Sequence, residues 1–128
     1  MTNANNNVYV KEEWDELLAR AQSLLCDTEK DGQVVLAQTY GGKIYHQTTA
    51  KSALTEQLKQ ENDTAVEKML CVWHNGSVDI PSFLLRDQLY KTNQKNLRMK
   101  MLLQGADSFV VKTLEQTLPP SYERNEQK

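Results

Sequence analysis

The sequence predicts a layered α/β domain, and three observations lead to that class. One stretch has helical periodicity, with Trp14, Leu17, Leu18, Ala21, Leu24 and Leu25 recurring at intervals of three and four. Two β-rich runs, over residues 33–40 and 66–73, carry consecutive apolar residues, the pattern of strands covered on both faces. Two glycine-centred turns, Gly41-Gly42 and Gly105-Ala106-Asp107, each separate β-type runs closely enough to make a hairpin.

Taken in order, the first helix is expected over residues 11–26. Lys11, Glu12, Glu13, Asp15, Glu16 and Arg20 lie on its wet side, and it stops before the Asp31-Gly32 turn signal. The strand 33–40 follows, and beyond Gly41-Gly42 a second strand over 43–48 alternates as an edge strand does. Ser52 is placed to cap a second helix in which Leu54 and Leu58 lie one turn apart, ending near Asn62-Asp63. The strand 66–73 is apolar from Met69 onward and is expected at the centre of the sheet. Asn75-Gly76-Ser77 turns the chain, and Pro81 sets up a third helix over 82–91. Strands over 97–103 and 108–112 make an antiparallel hairpin, and a helical turn at 114–118 precedes Pro119-Pro120. This order has too few helices and too many hairpins for a doubly wound nucleotide fold. No G-x-G-x-x-G or G-x-x-x-x-G-K-[ST] sequence occurs to argue otherwise.

The 128 residues make one domain, read as 11–122 between a flexible tail at 1–10 and a mobile tail at 123–128. Charged residues are 25% of the chain and the net charge is -2, which argues for neither nucleic acid nor an anionic membrane as partner. Lys91, Lys95, Arg98 and Lys100 fall close together, and such a run reads first as a solvated face. Cys26 and Cys71 have no C-x-x-C spacing and are too few for a disulfide framework, so a reduced, cytoplasmic setting is expected. Met1 to Asn7 is polar, with no basic start and apolar run of a signal peptide, and no window is apolar enough to span a bilayer. Without a secretory signal, the sequons at Asn62 and Asn75 carry no weight.

Three local features give the chain a resemblance. Residues 113–122, Thr-Leu-Glu-Gln-Thr-Leu-Pro-Pro-Ser-Tyr, join a Thr-Leu start to Leu-Pro and an aromatic. Pro81-Ser82-Phe83-Leu84-Leu85-Arg86 opens the third helix, and Leu54-Thr55-Glu56 opens the second. With the element order, these resemble the cytidine deaminase family, including its blasticidin-deaminase branch. There the corresponding segments are a closing Leu-Pro-aromatic stretch, P-C-x-x-C-R, and Cys-Ala-Glu or His-Ala-Glu. The resemblance implies a three-layer α/β/α fold with a five-stranded mixed sheet and a C-terminal β-hairpin.

It also implies what is missing. The family's reaction uses a zinc held by three side chains with a fourth position open for water. The metal lowers that water's pKa from about 15.7 to about 7. The three matching positions here carry Leu54, Ser82 and Leu85, so no metal and no other cofactor is expected. Glu56 keeps the place of the proton-shuttling glutamate but has no activated water to serve, and no catalytic residue is assigned. Were Glu56 held between Leu54 and Leu85, its carboxyl would be desolvated. Cys71 and His74 have C-x-x-H spacing and His46 ends a neighbouring strand, but residues three apart on a strand point to opposite faces. The stretch between Ile44 and Leu54 is shorter than the family's, and 47–51 lack the N-x-E pattern that holds the nucleoside sugar. Branched apolar side chains at vacated ligand positions would fill a cavity and extend the core.

The resemblance places Arg86 where an arginine supports the zinc thiolates or a subunit contact, and Tyr122 where an aromatic reaches toward a neighbour's site. The expectation is a non-catalytic, zinc-free protein acting by binding or assembly, as a homo-oligomer (dimer or tetramer) or in complex with an active homologue. The alternatives are an active nucleoside or base deaminase or hydrolase with an unrecognised site, and a sensor of nucleoside-type ligands.

Overall fold

A computed structural model describes residues 8–25, 32–48 and 53–118. Helix α1 (Lys11–Leu25) leads into β1 (Gln33–Thr39) and β2 (Ile44–Gln47). Helix α2 (Leu54–Gln60), β3 (Val66–Trp73), the two-residue β4 (Val78–Asp79) and α3 (Phe83–Thr92) follow. A 3-10 helix (Gln94–Arg98), β5 (Lys100–Gln104), β6 (Phe109–Thr113) and the short α4 (Leu114–Thr117) complete the order.

The strands form one mixed sheet in the order β2-β1-β3-β5-β6, with β4 paired to β3 off that path. β3 and β5 run parallel and every other pair is antiparallel. A parallel pair needs a long crossover, and α3 with the 3-10 helix supplies it. The expected five strands are present, and β4 is a sixth. A strand of two residues has no periodicity to read, so only its pairing of Val72 with Val78 and Cys71 with Asp79 reveals it.

The continuous apolar runs are explained by burial on both sides. Val34 and Leu36 of β1, with Leu70 and Val72 of β3, meet Trp14, Leu17, Ala21 and Leu25 of α1 on one face. Val35 and Ala37, with Met69 and Cys71, face Leu54, Leu58, Leu85 and Leu89 of α2 and α3 on the other. The result is the three-layer arrangement, α1 on one side and α2, α3 and α4 on the other. Fully burying each of these leucines contributes about 1.5–3 kcal/mol. Tyr9, ahead of α1, sets its ring edge against Phe109 with centroids 5.4 Å apart. Among the described residues, no helix is long and apolar enough to cross a membrane.

The β1–β2 hairpin closes through Gly42 at φ 95°, a left-handed conformation that favours glycine. Gly76, at φ 90°, does the same between β3 and β4.

Two boundaries depart from expectation. The sequence predicts a strand over 97–103, yet residues 94–98 are 3-10 helix and β5 starts at Lys100. Asn93 caps that helix by accepting from the Lys95 N–H at 3.0 Å. Asn96, fully buried, holds it to the sheet. Its amide donates to the carbonyls of Thr64 (3.0 Å) and Leu89 (2.9 Å) and accepts from the Val66 N–H (2.8 Å). This long-range bonding outweighs the β-like composition of the segment. The cap of α2 is Ala53 rather than Ser52, and Ser52 lies outside the described residues, as do Cys26 and the stretch 49–51.

Candidate functional site

The starts of α2 and α3 come together beside the ends of β2 and β3, and the positions singled out in the sequence divide between core and rim. Leu54, the first residue of α2, is fully buried, and Leu85, in the first turn of α3, is 6% exposed. Both belong to the apolar cluster between the sheet and the two helices. Ser82 is the N-cap of α3, its hydroxyl accepting from the Leu85 N–H at 3.2 Å. Ala53 offers no such oxygen, so the Gln47 side chain reaches from the end of β2 and accepts from the Leu54 N–H at 2.7 Å. One turn on, the Gln57 amide donates to the His46 carbonyl at 2.7 Å. The two glutamines lock α2 to β2, work that sequence reasoning did not assign to them. Nothing short-range marks it, since seven residues separate Gln47 from Leu54.

Ser82, Leu84, Leu85 and Gln88 of the α3 region, with Gln47, Thr48 and Ala53, line an open groove of about 350 Å³. The donor chemistry here does not fit a zinc ion. Leu54 and Leu85 have no lone pairs to offer, and the hydroxyl at the third position, Ser82 Oγ, is committed to a helix N–H. Among the described residues, no three His, Cys, Asp or Glu side chains gather as a metal site would need.

Glu56 does not share this groove. Two residues past Leu54, it lies about 200° around the helix. It is exposed and lines an adjoining polar groove with Lys59, Thr64 and Lys91, Gln88 standing between the two. The burial between Leu54 and Leu85 that would desolvate its carboxyl is therefore absent. Arg86 is half-buried and turned inward along the chain. Its guanidinium donates to the Pro81 carbonyl at 3.1 Å and to the Thr117 carbonyl, and it lies 5.7 Å from the Phe83 ring centroid. It ties the start of α3 to the end of α4. Tyr122, farther along that segment, lies outside the described residues.

Cys71, His46 and His74 do not converge. His46 pairs with Leu36 on the α1 side of the sheet, whereas Cys71 sits in the cluster on the opposite side. His74 is exposed in the turn after β3, its backbone N–H donating to the Gly32 carbonyl at 2.9 Å. Burial pushes the Cys71 thiol up to about 12, and the nearby Asp79 charge adds to the shift. Such a thiol behaves as a small apolar group rather than a nucleophile.

No protein-family model and no curated protein matches the sequence. Solved structures do match its shape. A cytidine deaminase from Mycobacterium leprae superposes with a TM-score of 0.64 at 18% identity, over 83% of this chain and 97% of that one. A mutant cytidine deaminase from Mycobacterium tuberculosis gives a TM-score of 0.63 at 16% identity, over 83% and 94%. At such identities the likeness establishes the fold, and this chain has a cytidine-deaminase-like one.

Proposed function

We propose that the chain uses its cytidine-deaminase-like fold without zinc chemistry, as a protein that works by binding or assembly. One observation carries the reading. Where the fold's resemblance puts metal ligands, Leu54 and Leu85 extend an apolar core and Ser82 caps a helix. A catalytic zinc needs three donors and an open fourth position, and these residues supply neither. An emptied metal site would leave a cavity and unpaired polar groups, both destabilising, and two branched side chains remove that cost. With no metal-bound water to deprotonate, Glu56 on the outer surface of α2 has no proton to shuttle.

Assembly is supported by the start of α3, beside the groove. Phe83 and Leu84 open α3 at 49% and 65% exposed, large apolar surface of the kind that marks protein contacts. The expected assembly is a homo-oligomer, dimer or tetramer, or a complex with an active homologue, in the reduced cytoplasmic setting that the cysteine usage favours.

Three measurements on the purified chain test this together: elemental analysis for zinc, a cytidine deamination assay, and size-exclusion chromatography with light scattering. The expected outcome is sub-stoichiometric zinc, no turnover, and a mass of several chains that Leu84→Glu reduces toward one. Stoichiometric zinc accompanied by turnover would overturn the proposal.

A further inference from the structure

At the other end of the sheet lies a larger cavity that the groove between α2 and α3 does not touch. It has a volume of about 860 Å³, within the range of about 300–1,000 Å³ typical of small-molecule sites. Tyr40, from the turn after β1, forms one wall, and the 3-10 helix forms the other with Gln94, Lys95 and Arg98. Leu97 supplies apolar floor and Glu115 of α4 stands at the side. Val35 pairs with Gln47 at the groove end of β1, and Tyr40 lies five residues on. At about 3.3 Å per residue, the two sites are about 17 Å apart along the strand.

We propose that this cavity binds a free nucleoside 5′-monophosphate, its phosphate between Lys95 and Arg98 and its base against Tyr40. The charge argument is local. Residues 91–104 hold four basic residues and no acidic one, in a chain whose net charge is -2. Lys95 and Arg98 are exposed, and neither takes part in a salt bridge among the described residues. A guanidinium and an ammonium lining one cavity match a phosphate, the guanidinium with two parallel donors. Two cations on one short helix suit a single phosphate better than a polyphosphate chain.

The aromatic half of the ligand follows from Tyr40. Its side chain is 60% exposed, a flat apolar surface that a base can cover. The site is also built before any ligand arrives. The Tyr40 N–H donates to the Ala65 carbonyl at 3.1 Å, which anchors the turn to the start of β3. Asn96, buried between Lys95 and Leu97, makes two hydrogen bonds that hold the 3-10 helix against the same point, to Thr64 and Val66, and a third to Leu89 of α3. Both walls are therefore held by long-range bonds, so little ordering is left to oppose binding.

This inference is independent of the function proposed above, because its variants leave the groove, Leu54 and Leu85 untouched. Isothermal titration of the full chain with CMP, AMP, UMP, cytidine, inorganic phosphate and a 5′-phosphorylated hexanucleotide tests it. One mononucleotide is expected to bind per chain, CMP, AMP and UMP each more tightly than cytidine or phosphate, and more weakly as salt is raised. Lys95→Gln, Arg98→Gln and Tyr40→Ala are each expected to weaken CMP binding about tenfold, while Tyr40→Phe retains it. Amide shifts induced by CMP should fall on residues 94–98 and Tyr40. Silence with every mononucleotide at millimolar concentration overturns the proposal. So does wild-type affinity in the three variants, or binding of the hexanucleotide alone.

Discussion

Leu54 is the residue at which core and lost metal chemistry meet, and removing its side chain tests whether the site has become interior. The residue is fully buried among Leu58, Leu85 and Leu89. Leu54→Ala removes three carbons from a packed cluster, which loses their transfer free energy and leaves a cavity. For fully buried leucines the two together cost about 3–4 kcal/mol. In a domain of this size that lowers the melting temperature by about 12–16 °C, at about 4 °C per kcal/mol. Urea unfolding followed by tryptophan fluorescence reads it, since Trp14 is fully buried in the native state. Glu56→Gln is the control on the same helix, and because Glu56 is exposed it should move stability by no more than about 0.5 kcal/mol. A Leu54→Ala loss below about 1 kcal/mol would refute the reasoning. So would a Leu54→His variant that keeps full stability and takes up zinc, because either result means the position lines an open site.

Asn96→Ala orphans the Val66 N–H and two carbonyls in the interior and should cost about 2–4 kcal/mol in urea unfolding, with Asn96→Asp failing to restore it. Arg86→Ala should cost about 1–2 kcal/mol and speed amide exchange in α4, and Arg86→Lys should not rescue it, because one ammonium cannot reproduce a planar fork to two carbonyls. Cys71 makes stability depend on alkaline pH. Its folded value of about 12 lies above the unfolded 9.0, so between these the unfolded chain has released a proton that the folded chain keeps. Its stabilisation is thus complete below pH 9 and lost as pH rises toward 12, at about 1.4 kcal/mol per pH unit, and Cys71→Ala should flatten that part of the profile.

Burial on both sides of β1 and β3 was written in consecutive apolar residues, and the inward face of α1 in a spacing of three and four. Both are local signals, because the period of a strand or helix decides which side chains face a neighbour. Pro81 marked the start of α3 in the sequence, whereas the capping role of Ser82 emerged only in the folded chain. Leu54, Ser82 and Leu85 could be named from sequence as side chains that do not make a zinc donor set, since coordination depends on residue type before it depends on geometry.

Tertiary structure decided the rest, wherever a residue's environment comes from far along the chain. Residues 97 and 98 look like strand, yet they are held in a 3-10 turn by Asn96, whose partners Thr64 and Val66 lie some thirty residues away. Only the folded chain shows that Gln47 stands in for a missing cap at Leu54, that Arg86 turns inward to Thr117, and that Glu56 faces water. Lys95 and Arg98 read in sequence as part of a solvated basic run. The fold sets them across a cavity from Tyr40, fifty-odd residues earlier, because β1 ends where the 3-10 helix is tied down. Sequence determined what the side chains can do, and tertiary structure decided which of them meet.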